Sequence, residues 1–281
     1  MMVELAVGDA YGACFEYADP SFVAEHNTLE RYVQHPTHPD IAPGAYTDDT
    51  QMTLALAELL ITGEPWTPRV LADKFVEVFH RDPRAGYAGR FHAFLRETRD
   101  GAAFLERMRP DSDKSGAAMR AAPIGLLPDV AAVLEHAAVQ ARVTHDTPLG
   151  ISAAQAAALA VHYCHHELGP FAETQNWVAG VLGAQWAKPW HGKVGSKGWM
   201  SVRAALTALT TGRSLSEILR TCVAYTGDVD TVATIALAAA SRSAQVVQDL
   251  PDALVNDLED GEFGRAYLVR LDDALLATVR P

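Results

Sequence analysis

Tyr225-Thr226-Gly227-Asp228-Val229-Asp230-Thr231-Val232-Ala233-Thr234-Ile235-Ala236-Leu237-Ala238-Ala239 sets two carboxylates and a hydroxyl within four residues at the mouth of an alanine-rich run. The run carries no charge beyond Asp230, so it reads as a helix buried on every side. Positions two apart on a helix point to nearly opposite sides. Asp228 and Asp230 are therefore expected in the turn before the helix, where both can converge on one point. Gly227 supplies the backbone freedom for such a turn, and the helix N-terminus favours negative charge. The pattern recurs early in the chain, where Tyr46-Thr47-Asp48-Asp49-Thr50 precedes the apolar run Met52 to Ile61. If the two mouths face each other, Asp48, Asp49, Asp228 and Asp230 bring together four negative charges that need counter-charge. Carboxylates and threonine hydroxyls are hard oxygen donors, so two magnesium or manganese ions suit the set better than zinc. The competing reading is that each cluster only caps its own helix, as Asp and Thr commonly do. The shared Thr/Asp pattern and a third acid-bearing stretch, Gly8-Asp9 to Glu16, weigh against it.

Length and composition agree with a helical protein. The 281 residues are 49% hydrophobic, alanine is abundant and β-branched runs are short, which favours helix packed on helix. With no internal repeat or linker, residues 1–281 are expected to form a single all-α domain, a compact orthogonal helical bundle. The net charge of −12 argues against non-specific binding to nucleic acid or an anionic membrane. An anionic ligand must then meet local positive charge, such as a metal or a helix N-terminus. Three scattered cysteines without a Cys-x-x-Cys pattern point to a reducing cytoplasm. The first residues lack the basic region of a signal peptide, and no apolar run approaches the roughly 20 residues that span a bilayer.

Other stretches are read as follows. Residues 1–17 form a short apolar helix whose glycines allow close approach to a neighbour, and residues 19–45 form a loop. Helices are expected from Asp49 to Thr62, Val70 to Phe79, Ala88 to Arg99, Asp129 to Arg142, Gly150 to Leu168 and Pro170 to Trp186. Further helices are expected at about 200–210, 214–224, 230–244 and 262–278. Arg109 to Gly125, with Ser112, Ser115, Gly116 and Met119, is a polar turn entering a short helix, which can offer backbone N–H groups to an anion. Thr144-His145-Asp146-Thr147-Pro148 is a turn with an N-cap. Lys193-Val194-Gly195-Ser196-Lys197-Gly198-Trp199 is a basic glycine-rich loop that could hold phosphate while Trp199 stacks on a base; Trp199 could equally anchor the loop. His162 and His166 have the i, i+4 spacing of a zinc pair, but no His-Glu-x-x-His pattern accompanies them, so surface or satisfied core histidines are the preferred reading. There is no Gly-x-Ser-x-Gly elbow, P-loop or dinucleotide fingerprint.

Together these motifs resemble the ADP-ribosylglycohydrolase family, an all-helical group that includes the dinitrogenase-reductase-activating glycohydrolase and the ADP-ribosyl-acceptor hydrolases. The similar stretches are Gly8-Asp9 to Glu16, Thr47 to Thr50, Gly116 to Pro123, Thr144-His145 with Pro148, Gly195 to Trp199 and Gly227 to Ala233, in the expected order. The chain departs from the family where Lys114-Ser115-Gly116 replaces the usual Gly-Asn-Gly, and it has Thr226 and Val229 where glycine and threonine are common. The resemblance implies a hydrolase that removes ADP-ribose from a modified protein side chain, such as arginine, or from a small-molecule conjugate. It also implies two magnesium or manganese ions on Thr47, Asp48, Asp49, Asp228, Asp230 and Thr231. Glu16 and Asp48 would be catalytic. Ser112, Ser115, Gly116, Met119, His145, Gly195, Ser196, Gly198 and Trp199 would contact substrate. A monomer is expected. The alternative is a non-catalytic ADP-ribose-binding or structural protein of the same fold.

Overall fold

The structure, a computed structural model, describes residues 1–278. It is 63% helical, with fifteen α-helices and only isolated bridges in place of strands among the described residues. The fold is all-α, as expected. Among these residues no helix is long and apolar enough to cross a membrane.

The Val229–Ala240 helix is the centre of the molecule, and every one of its residues is buried. Small side chains make this possible, because they let neighbouring backbones close in on several sides. The Met2–Ala13 helix packs along it most extensively. Helices Leu215–Ala224, Gly198–Thr211, Pro148–His165 and Asp48–Thr62 complete the surround. Gly8 and Gly12 are required at the first contact. A Cβ on Gly8 would lie 2.8 Å from the Ala233 carbonyl oxygen, and one on Gly12 would overlap Asp230 Cα and lie 2.7 Å from its nitrogen.

Several helices begin and end on the expected signals. Thr147 accepts from Gly150 N at 3.0 Å with Pro148 in the first helical position, and Asp48–Thr62 stops at left-handed Gly63. The loop expected over 19–45 is partly helical. Asp19 accepts from Ser21 N and Pro20 opens the Pro20–His26 helix, so that Asp-Pro is a start signal rather than a turn. Gly101–Arg107, capped by Asp100, and Asp252–Asn256 are further short helices outside the expected set. The single helix expected from Pro170 to Trp186 is divided. Thr174–Leu182 is α-helical, and Gly183 at φ 115 then breaks the chain before a 3-10 turn over Ala184–Ala187.

Candidate active site

The two acid-bearing helix mouths meet. A cavity of about 690 Å³ is lined by Glu16, Asp48, Asp49, Asp228, Asp230 and Thr231 on its acidic side. Asp49 of the early motif and Thr231 of the late one line the same cavity wall, which brings the two motifs together. Oxygen atoms of Glu16, Asp228 and Asp230 all lie within 4.8 Å of one another. Asp230 sits inside the first turn of the Val229–Ala240 helix rather than before it, whereas Asp228 is the N-cap with φ −77 and ψ 61. Because Asp228 lies off the helical path, the near-opposite directions of residues two apart do not apply to this pair.

The capping explanation does not fit the bonding. Thr47 occupies the N-cap position of Asp48–Thr62 without a side-chain cap, and the donors there are taken by Asp9, reaching across from the Met2–Ala13 helix. Asp9 Oδ2 accepts from Thr47 N and Thr50 N at 2.9 Å and from Thr50 Oγ1 at 2.6 Å, and Oδ1 accepts from Thr47 Oγ1 at 2.6 Å. Asp49 Oδ2 is left buried with no hydrogen-bond partner. Removing the acceptor in Asp9→Ala leaves four donors in a dry site. We expect a loss of about 3 kcal/mol in chemical denaturation, with Thr47 and Asp48 loosened together.

Asp228 is held by Ser201 Oγ, which donates to Oδ2 at 2.6 Å. Gly227 has φ 93, and a Cβ there would overlap the Val194 carbonyl oxygen. That contact lets Val194 N donate to Thr226 O at 2.9 Å and Asp228 N donate to Val194 O at 3.2 Å, so the basic loop docks on the second acidic motif. Gly86, at φ 98, lets the backbone pass close over the first: a Cβ there would overlap Asp48 Oδ1 and lie 2.7 Å from Thr47 Cβ. Tyr17 follows Glu16 in the left-handed region at φ 53, an unusual backbone state for a side chain other than glycine, and lines the cavity with Lys193 Nζ 5.4 Å from its ring centroid.

The cavity also reaches Ser112, Ser115, Gly116, Met119, His145 and Ser196. Gly195, Gly198 and Trp199 are not among its lining residues, contrary to expectation. Gly198 is pressed against the Lys114 carbonyl oxygen, with a would-be Cβ at 2.8 Å. Trp199 packs edge-on to Trp190 at 5.8 Å, with the Arg203 guanidinium 5.6 Å from both rings, which is the anchoring role. Thr47 also lies behind the lining; its hydroxyl proton goes to Asp9, leaving oxygen lone pairs for an ion. Positive charge comes from side chains at the rim, where Arg90, Arg107, Arg109 and Lys114 line the cavity beside Phe91 and Phe94. Among the described residues Arg90, Arg109 and Lys114 have no carboxylate partner. Among the described residues the zinc alternative finds no third ligand: His162 Nδ1 bonds Gly125 O at 3.2 Å and half-buried His166 Nε2 bonds Leu127 O at 3.1 Å, as satisfied histidines do.

Burial, then the charges of Asp228 and Asp9, push the Glu16 carboxyl up from 4.5 to about 7, and burial pushes Asp228 up from 3.8 to about 6. Asp48, Asp49 and Asp230 are raised well above the usual carboxylate value, first through burial and then chiefly through the charge of Asp9 on Asp48 and Asp49 and of Glu16 on Asp230. These acids hold protons more tightly folded than unfolded. For Glu16 and Asp228, the metal-free protein should therefore keep the full contribution below the unfolded values and lose it as pH rises through the folded values of about 7 and about 6. For Glu16 the loss is about 3 kcal/mol. Urea midpoints of the chelated protein should fall across that window, and Glu16→Gln should flatten the slope; an unchanged slope contradicts the assignment.

Buried acids that repel one another, an orphaned Asp49 oxygen and hard donors on facing helix ends fit a divalent cation site. A sequence model described as ADP-ribosylglycohydrolase matches residues 1–280. The chain belongs to the ADP-ribosylglycohydrolase family. It is similar to the family relative ADP-ribosylhydrolase ARH3 of Mus musculus, 33% identical over 168 residues that cover 56% of this chain and 45% of that protein. It is also similar to the ADP-ribosyl-(dinitrogen reductase) glycohydrolase of Rhodospirillum rubrum, 30% identical over 167 residues that cover 57% of this chain and 54% of that protein. The matches thus span about half the length of these curated relatives. A solved ADP-ribosylglycohydrolase-related protein complex aligns with a TM-score of 0.74 at 25% identity, covering 99% of this chain and 96% of the other.

Proposed function

We propose that this chain hydrolyses the glycosidic bond between the distal ribose of ADP-ribose and a modified acceptor, such as a protein side chain, working as one unit over its whole length. The observation that carries the reading is the convergence of Asp48 and Asp49 with Glu16, Asp228, Asp230 and Thr231 on one cavity wall, with an Asp49 oxygen that no group among the described residues satisfies. Thr47, Asp48, Asp49, Asp228, Asp230 and Thr231 would hold two magnesium or manganese ions. Bound there, the ions would supply counter-charge and Lewis acidity. The protein's own groups do the remainder. Glu16 holds or moves the proton exchanged between water and the leaving acceptor, and Asp48 orients the attacking water. Ser112, Ser115 and Ser196, with the arginines of the rim, position the two halves of the ligand. A deep acidic wall and a cationic rim match a ligand with a neutral sugar at one end and a diphosphate further out.

A panel of defined ADP-ribosyl conjugates, incubated with and without added metal, tests the proposal. We expect free ADP-ribose from at least one linkage, lost on chelation and restored by magnesium or manganese but not by zinc. ADP-ribose binding without cleavage of any conjugate would support a non-catalytic binding protein instead.

A further inference from the structure

Arg120 is 1% exposed and has no carboxylate partner among the described residues, a costly arrangement for a cation. Its bonds go elsewhere. Nε donates to Gln140 Oε1 at 2.7 Å, Nη2 donates to Gln140 O at 3.1 Å and to Thr144 Oγ1 at 2.8 Å, and the guanidinium carbon sits 4.2 Å from the centroid of the Phe75 ring. Gln140 in turn donates from Nε2 to Ala117 O at 2.9 Å, which fixes the direction of its amide and ties the group to the short Gly116–Met119 helix. Thr144 Oγ1 lies 2.7 Å from His145 Nδ1.

We infer that Arg120 is a positioning residue that acts through Thr144 to fix the tautomer of His145 presenting Nε2–H to the cavity. The chain of donors has one fully satisfied solution. A guanidinium only donates, so the Thr144 oxygen accepts from Arg120. Its single hydroxyl proton then has one remaining partner, His145 Nδ1. The opposite tautomer would leave that buried hydroxyl proton without an acceptor. Nδ1 is thus the lone-pair nitrogen and Nε2 carries the hydrogen. The Nε2 edge lies against Gly116, where a Cβ would come within 3.3 Å of Nε2 and 3.0 Å of Cε1, and among the described residues no protein group bonds Nε2. Burial and the neighbouring guanidinium push His145 down to about 3, against a weaker pull from Asp113, so the ring is a neutral donor. Resting on the ADP-ribose reading above, the consequence is that His145 serves an oxygen acceptor of the ligand, of phosphate or hydroxyl type.

The test is nitrogen-15 spectroscopy of the imidazoles in the full chain, with the His145 signal assigned by its absence in His145→Gln. The expected spectrum shows an unprotonated Nδ1 and a protonated Nε2. Thr144→Val should give mixed tautomers and weaken ADP-ribose by about tenfold in titration calorimetry, and Thr144→Ser should restore both. Arg120→Met should scramble the tautomer in the same way if it folds, and Thr144→Val decides the matter if it does not. A protonated Nδ1 in the unaltered protein, or an unchanged tautomer in Thr144→Val, overturns the inference. If ADP-ribose fails to bind the unaltered protein, the proposed function falls, while the spectra still decide the tautomer.

Discussion

Asp49→Asn and Asp228→Asn should each reduce ADP-ribose release by about a thousandfold at saturating magnesium while the metal-free protein keeps its fold. The two effects separate because the acids are not structural fasteners. Asp49 Oδ2 bonds to nothing among the described residues, so neutralising that side chain removes repulsion from the cluster and loses little else. The metal-free Asp49→Asn variant should unfold at the same urea concentration as the unaltered chain, or a higher one. Asp228→Asn gains the same relief but weakens the bond from Ser201, so its midpoint should move less. The counterpart appears on adding magnesium. A ligand at about a hundred times its Kd stabilises the unaltered chain by about 2.7 kcal/mol, and both variants should lack most of that gain. Full turnover in both variants, or an undiminished response to magnesium, would remove the shared ion site from the mechanism.

Much of this site is legible in the sequence because its acids stand where local rules leave them without a local purpose. Asp48-Asp49 and Asp228 with Asp230 open apolar runs at a spacing that suits ion ligands, and Gly227 marks the turn that leads into the second cluster. The supporting residues are harder to read because their partners are distant in the chain. Asp9 looks like an isolated acid in an apolar helix until the fold brings Thr47 and Thr50 to it. Ser201 is one serine among many until its helix arrives beside Asp228. The cationic rim has a weak local signal, since Arg90 adjoins Phe91 and Phe94 while Arg107 and Arg109 come one short helix later, and its direction depends on how those helices dock. Trp199 shows the opposite hazard. An aromatic beside glycines and lysines suggests stacking on a ligand, yet Trp199 packs edge-on with Trp190 and beside Arg203, away from the cavity.

Gly12→Ala should cost about 4 kcal/mol, although it adds a single methyl group. At Gly12 the added Cβ would coincide with the backbone of Asp230, which cannot rotate away as a flexible side chain would. The Met2–Ala13 and Val229–Ala240 helices would have to separate where Glu16 and Asp230 come together at the proposed ion site, so metal affinity should fall together with stability. Other glycines in the same chain provide graded comparisons. Gly8→Ala meets the Ala233 carbonyl oxygen at 2.8 Å, a looser encounter one helical turn further from the site, and should cost less and spare metal binding more. Gly63→Ala has open space but a φ of 66, so only backbone strain of about 1 kcal/mol is expected. Gly89→Ala, in a helix with nothing within 4 Å, should be neutral or stabilising. Denaturation midpoints of the four variants, with and without magnesium, should therefore rank Gly12 lowest, then Gly8, Gly63 and Gly89. A tolerant Gly12→Ala that still responds to magnesium would mean that the close crossing of these two helices is not what holds Glu16 beside Asp230.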